Sequence, residues 1–353
     1  MLIACGANLP SFAAEIRLGM SAAFEGPAKE IGIQLREGAA LYFDAMNAQG
    51  GINQQTIRLI ALDDGYEPQK TILNSKAFIH QYKVHALFTY MGTPTTWAIK
   101  SLLEYSKVPL ITPFTGADFL RSPESFRVVN LRASYQQEAE EQIQFLVNEH
   151  GKQRIALFIQ ADEFGLTMEK SLVKVLAQHH LQPVLISRFR RNTEDIDKAL
   201  RKILQSDAQA IAMVGTYSPL AEFVNKAGKA NPALIYTTVS FASSIELYRR
   251  ITQPVTLMSS EVMPDPSKCK TALCASFQKL AQTKSVKPTR LAFEGFVNAY
   301  LTSKAIEQCE APLQQSCLYA QLQTIRKSDR NIVSMFGSAE NENNFVVFRS
   351  NYQ

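Results

Sequence analysis

Tyr90-Met91-Gly92-Thr93-Pro94-Thr95 follows the apolar run 86–89, and Pro113-Phe114-Thr115-Gly116-Ala117-Asp118 follows the apolar run 108–112. Each run is short and continuous, as buried parallel strands are, and each segment leads into a stretch able to form a helix. Both segments therefore stand at carboxyl ends of strands, where open α/β sheets bind ligands. They offer backbone N–H groups, hydroxyls and some aromatic surface, which can cradle an anionic head group but supply no base or nucleophile. Holding a molecule, not converting it, is the chemistry these residues suit.

Working outward, short aliphatic runs alternate with amphipathic stretches. A strand at 16–20 precedes a helix at 28–49, in which Ile31, Leu35, Ala39, Tyr42 and Met46 form one buried stripe and Gly50-Gly51 the stop. A strand at 57–63 and a helix at 69–82 follow, so one α/β unit closes by about residue 130. The second series runs helix 136–149, strand 154–160, helix 166–179, strand 184–189, helix 194–205, strand 210–214, helix 219–230 and strand 234–238. After 255 the rhythm loosens, with helices at 272–282 and 291–308 and a final strand at 345–348. The pattern predicts an α/β chain of two doubly wound parallel-sheet lobes facing each other across a cleft.

The chain has 353 residues, 46% of them hydrophobic and 20% charged, which suits two ordinary domains. Its net charge of +5 is spread thinly, and the densest basic cluster is Arg188-Phe189-Arg190-Arg191. A solvated face explains that cluster, and nucleic acid is excluded as a partner. No apolar run reaches the length of a transmembrane helix.

Residues 1–14 are apolar and end in Ser11-Phe12-Ala13, which suits a cleavage site; Leu2-Ile3-Ala4-Cys5 also resembles a lipoprotein box, with Cys5 as the lipidated residue. Export to the periplasm is the expectation. The remaining cysteines fall into two local pairs, predicted to form the disulfides Cys269–Cys274 and Cys309–Cys317. Neither pair has metal-site spacing, and His80, His85, His150, His179 and His180 lie far off, so no metal is expected.

Motifs for catalysis or cofactors are missing: there is no G-x-G-x-x-G after the first strand, no phosphate-binding lysine loop, no G-x-S-x-G and no H-E-x-x-H. Adjacent Asp63 and Asp64 point to opposite faces of a strand and do not easily share a proton, so a structural role in the loop with Gly65 is favoured. Asp162-Glu163 before Phe164-Gly165 reads as a turn or helix cap.

The ordered set Ile16-Arg17-Leu18-Gly19-Met20, Glu25-Gly26-Pro27, Met46-Asn47-Ala48-Gln49-Gly50-Gly51-Ile52-Asn53, Asp63-Asp64, Gly92-Thr93-Pro94-Thr95, Ile111-Thr112-Pro113 and Arg154-Ile155-Ala156-Leu157-Phe158 resembles the periplasmic leucine/isoleucine/valine-binding proteins of ABC transporters. The likeness runs from residue 15 to about 305. It implies a type I solute-binding fold with a multi-strand hinge at 131–135 and 259–263. A leader at 1–14 would precede a first lobe of 15–132 plus 262–330 and a second of 133–261 plus 331–353.

The resemblance also implies a ligand carboxylate held by Gly92, Thr93, Phe114, Thr115 and Gly116, with Phe164 and Tyr217 closing over it from the second lobe. Several neutral donors suit a desolvated carboxylate. Two departures stand out. Ser240 occupies the place of the acidic residue that receives the ligand's ammonium, which points to a deaminated acid, an amide or an aromatic acid unless Glu25, Asp118 or Asp162 supplies the charge. Tyr66 and Met91 stand where the family often has a first-lobe disulfide.

The function expected is capture of a small carboxylate, branched-chain amino acid-like or related, by a monomer that delivers it to an ABC permease in the inner membrane. A ligand-sensing subunit for a membrane signalling protein is the alternative. An enzyme of the same layout, using Asp64 or Asp162, is the remoter one.

Overall fold

The computed structural model describes residues 15–121, 127–336 and 345–352; the expected leader with Cys5 lies outside them. In the first lobe, β1 (Glu15–Ala22), β2 (Thr56–Asp63), β3 (Ala86–Phe88), β4 (Leu110–Ile111) and β5 (Val128–Val129) form a parallel sheet of order β2-β1-β3-β4-β5. In the second, β6 (Ile155–Gln160), β7 (Leu185–Phe189), β8 (Ala210–Val214), β9 (Ile235–Thr238), β10 (Thr256–Glu261) and β11 (Phe348–Asn351) run in the order β11-β10-β9-β8-β6-β7, with β11 antiparallel at the edge. Strands β6 and β8 are buried at every residue, because helices cover both sheet faces.

Helices α1 (Lys29–Ala48), α2 (Pro68–His80), α3 (Thr93–Ala98) and α4 (Lys100–Ser106) belong to the first lobe, and α5 (Tyr135–Ile143), α6 (Glu163–Gln178), α7 (Asp197–Leu204), α8 (Tyr217–Ala230) and α9 (Ser244–Tyr248) to the second. The chain then returns to the first lobe with α10 (Ala272–Lys284), α11 (Arg290–Glu307), α12 (Gln315–Ser328) and α13 (Arg330–Phe336). Two glycines explain how closely α11 lies against α1. A Cβ on Gly38 would fall 1.7 Å from the Ala292 carbonyl oxygen, and one on Gly295 would fall 2.0 Å from that of Leu35.

The division into lobes departs from the expected boundaries at one place. Ile332, Met335, Phe336 and Phe345 bury in the first-lobe cluster beside Leu318 and Leu322 of α12, so 331–353 does not pass to the second lobe as a block. The apolar stripe of α13 needs that cover. Among the described residues of that stretch, β11 at 348–351 and Tyr352 cross over, so the final strand lies at 348–351 and not at the expected 345–348, since Phe345 is held in the other core. The chain thus passes between lobes after β5, after β10 and before β11.

Cys269 is bonded to Cys274 and Cys309 to Cys317, with Cα separations of 5.9 and 6.0 Å. No helix among the described residues is long and apolar enough to cross a membrane.

Candidate functional site

Gly92 ends the loop after β3, and its φ of +109° admits glycine; a Cβ there would also lie 2.3 Å from the Tyr66 ring. Its N–H donates to the Phe114 carbonyl at 3.2 Å, which ties this loop to the one after β4. Pro94 then starts α3, and Thr93 turns inward. Its Oγ1 lies 2.8 Å from Thr115 Oγ1 and 2.9 Å from the Tyr135 hydroxyl, and Thr115 Oγ1 lies 3.2 Å from that hydroxyl. All three side chains are buried.

Thr93 and Thr115 come from the first lobe, whereas Tyr135 opens α5 of the second. Ser134 fixes that helix start, capping Gln137 N–H while the Gln137 side chain accepts from Ser134 N–H. Gly116 lets Tyr135 approach, since a Cβ there would meet the tyrosine ring at 2.7 Å. Burial pushes the Tyr135 hydroxyl up to about 12, so it keeps its proton. The cluster offers donors and acceptors with no formal charge.

Four rings adjoin it. Phe241, buried in the turn after β9, lies 5.6 Å from Tyr66, 5.0 Å from Phe114 and 4.7 Å from Phe164, and Phe164 lies 5.5 Å from Tyr135. Tyr66 and Phe114 are first-lobe residues, Phe164 and Phe241 second-lobe, so the aromatic wall also spans the seam. Tyr217 closes the seam elsewhere: its hydroxyl accepts from Glu30 N–H of α1 at 3.3 Å, and its ring lies under Arg250.

Ser240 faces away from any free role. Its N–H and Oγ both donate to Glu138, at 2.8 and 3.0 Å, and its Oγ accepts from Arg132 Nη2 at 2.5 Å. Ser260 Oγ donates to the same Glu138 carboxylate. Arg132 in turn donates from Nη1 to both oxygens of Glu294 and lies 4.0 Å over the Phe114 ring. Burial opposes the Arg132 charge, but Glu294 and Glu138 outweigh it and hold the guanidinium above its ordinary pKa. Burial raises both glutamates, against the pull of Arg132.

At the opposite rim, Arg191 donates to Glu67 at 2.8 Å and to Asp162 at 3.2 Å, while Asn192 donates to Glu67 and to the Gly65 carbonyl at 2.7 and 2.9 Å. This joins the loop after β7 to the loop before α2. Asp162 is the N-cap of α6, accepting from Phe164 and Gly165 N–H. Asp64 is buried and accepts from Ser21, Thr71 and Tyr66 N–H, and Asp63 from Phe24, Glu25 and Gly65 N–H. All three carboxylates hold backbone in place. No group of His, Cys, Asp and Glu among the described residues is arranged to hold a metal.

Tyr135, Phe241, Tyr66 and Arg132 do not stand out as site residues in the sequence. Tyr135 and Arg132 fall where the chain changes lobe, and the available signal was proximity to that boundary. Phe241 is the neighbour of Ser240.

The family model described as periplasmic binding protein matches residues 15–344, nearly the whole chain. The chain belongs to the periplasmic binding protein family. Within it, the chain has the type I fold of solute-binding proteins and is similar to the leucine/isoleucine/valine-binding ones. This solute-binding protein is 20% identical over 213 residues to an amino acid binding protein of Pseudomonas aeruginosa, covering 60% of this chain and 57% of that one. The match thus spans less than two thirds of the curated relative. A crystal structure of a possible leucine/isoleucine/valine-binding protein from Rhodopirellula baltica SH 1 is similar over 97% of this chain and 95% of that chain, with TM-score 0.87 and 26% identity. An ABC transporter solute-binding protein from R. palustris in complex with benzoate shares the fold, with TM-score 0.82 and 13% identity over 96% of this chain and 94% of that one.

Proposed function

We propose that this solute-binding protein captures a small carboxylic acid without an α-amino group, an aromatic acid foremost, between its lobes, and delivers it in the periplasm to an ABC permease. The observation that carries the reading is the meeting of the Thr93, Thr115 and Tyr135 hydroxyls across the lobe seam, beside the rings of Tyr66, Phe114, Phe164 and Phe241. Hydroxyls from both lobes stabilise a carboxylate only when the lobes are together, and a ligand that binds the closed state better shifts the population toward it.

An ammonium group is poorly served in the same place. Glu138 already accepts from Ser240 and Ser260, Glu294 is bound by Arg132, and Asp162 caps α6 and pairs with Arg191. A buried ammonium without an anionic partner costs several kcal/mol, on the order of the penalty for any unpaired buried charge. The benzoate complex of the R. palustris relative and the amino acid binding relative supply the two ligand classes to compare.

Thermal unfolding in the presence of benzoate, 4-hydroxybenzoate, branched-chain keto acids and the matching amino acids tests the reading. At 100 times Kd a true ligand stabilises by about 2.7 kcal/mol. A rise in Tm with the amine-free acids that is lost in Thr93→Val/Thr115→Val is expected; a rise lost in that variant for the amino acids and not for the amine-free acids defeats the proposal.

A further inference from the structure

On the hinge edge lies a cavity of about 590 Å³, bordered by Thr289 and Arg290 at the start of α11, by Glu261 and Asp265 of the crossing after β10, and by Tyr248 and Tyr352. Thr93, Thr115, Tyr135 and Phe164 do not border it; Arg132 and Ser240 do, and Arg132 turns its guanidinium to the Phe114 ring of the first cleft. The volume suits a small organic ligand.

The charges in this cavity are incompletely satisfied. Arg290 donates from Nε to the Met263 carbonyl at 3.2 Å, but its Nη1 and Nη2 stand 3.9 Å from Glu261 and Asp265, beyond hydrogen-bond reach. Glu261 accepts from Ser244 Oγ, and Asp265 from Ser267. A guanidinium therefore faces two carboxylates with its terminal donors unspent. The Tyr248 and Tyr352 rings, edge to face at 5.6 Å, supply apolar surface nearby.

We propose that this cavity is a second ligand site that takes a zwitterionic α-amino acid, with its carboxylate on the terminal nitrogens of Arg290 and its ammonium on Glu261 and Asp265. Such a ligand carries both charges a few bonds apart, and it replaces two long ion pairs with short charge-assisted hydrogen bonds. A plain anion meets the two carboxylates, and a plain amine meets Arg290, so each is repelled by half of the site. The walls belong to both lobes and to a crossing between them. An occupant touching both favours one lobe arrangement, and by linkage it changes affinity in the first cleft.

The test is saturation-transfer NMR followed by calorimetry with each of the twenty L-amino acids, on the full chain and on a Thr93→Val/Thr115→Val variant. At least one amino acid is expected to bind both proteins. Its affinity should fall tenfold or more in Arg290→Gln and in Asp265→Asn, and its keto acid and its decarboxylated amine should fail to compete. Asp265 lies on a partly exposed loop, so its variant reports even if Arg290→Gln does not fold. Binding by no amino acid, binding lost in the threonine variant, or binding indifferent to both Arg290→Gln and Asp265→Asn overturns the proposal. A thermal response to the amine-free acids stands or falls separately, since it reads the first cleft.

Discussion

Arg132 Nη1 donates to both carboxylate oxygens of Glu294, 2.7 Å to each, and both side chains are almost wholly out of solvent. Arg132 sits where the chain leaves the first lobe, Glu294 on α11, and the second guanidinium terminal nitrogen reaches Ser240 of the other lobe. The pair therefore fixes the hinge to both lobes. Removing one member leaves the other as an uncompensated buried charge, which costs about 3–5 kcal/mol. Urea unfolding of Arg132→Met and of Glu294→Gln should each show a loss of that order, and the double variant less than their sum. Additive losses would show that the two do not act as a pair.

The hydroxyl cluster predicts graded effects. Tyr135→Phe removes one hydroxyl and keeps the ring packed on Phe164, so a stability loss of about 1 kcal/mol is expected, with ligand affinity down at least tenfold by calorimetry. Unchanged affinity would place the ligand's carboxylate elsewhere.

At the rim, Arg191 and Asn192 hold Glu67 and the Gly65 carbonyl across the seam. Glu67→Gln with Asn192→Ala should loosen closure without touching the hydroxyls. Small-angle scattering of the ligand-free variant should give a larger radius of gyration than the wild type, and added ligand should restore it. Equal radii would assign the closed arrangement to other contacts.

Stability should also depend on pH in a definite direction. Burial raises Asp64 from 3.8 to about 6 and Glu261 from 4.5 to about 7. In that window the folded state binds more protons than the unfolded one, so stability is fully present below the unfolded values and declines as pH rises through the folded ones. The decline is on the order of a few kcal/mol. Denaturant midpoints from pH 4 to 8 should fall with pH, and Glu261→Gln should flatten the upper part of that slope. A midpoint that rises over the same interval contradicts the assignment.

Much of this arrangement is legible in the residues. The period-3.6 stripe of α1 and the apolar runs of β6 and β8 are set by burial, which a local pattern records. The loops after β3 and β4 are legible because glycine, proline and threonine mark a strand end. What the sequence conceals is contact at long range. Glu138 looks like any helical glutamate until Ser240 and Ser260 are brought to it, and Phe241 looks like core until its neighbours prove to come from both lobes. Phe345 misled for a related reason: its apolar character fits either core, and only the position of α13 decides which.

Calorimetric titration of benzoate into the wild type and into Thr93→Val/Thr115→Val tests most directly whether neutral hydroxyls grip a carboxylate across the seam. Binding at one site per chain in the wild type, weakened a hundredfold or more in the variant, is the predicted result. Equal binding in the two proteins, or wild-type binding of the branched-chain amino acids with benzoate inert, would contradict it.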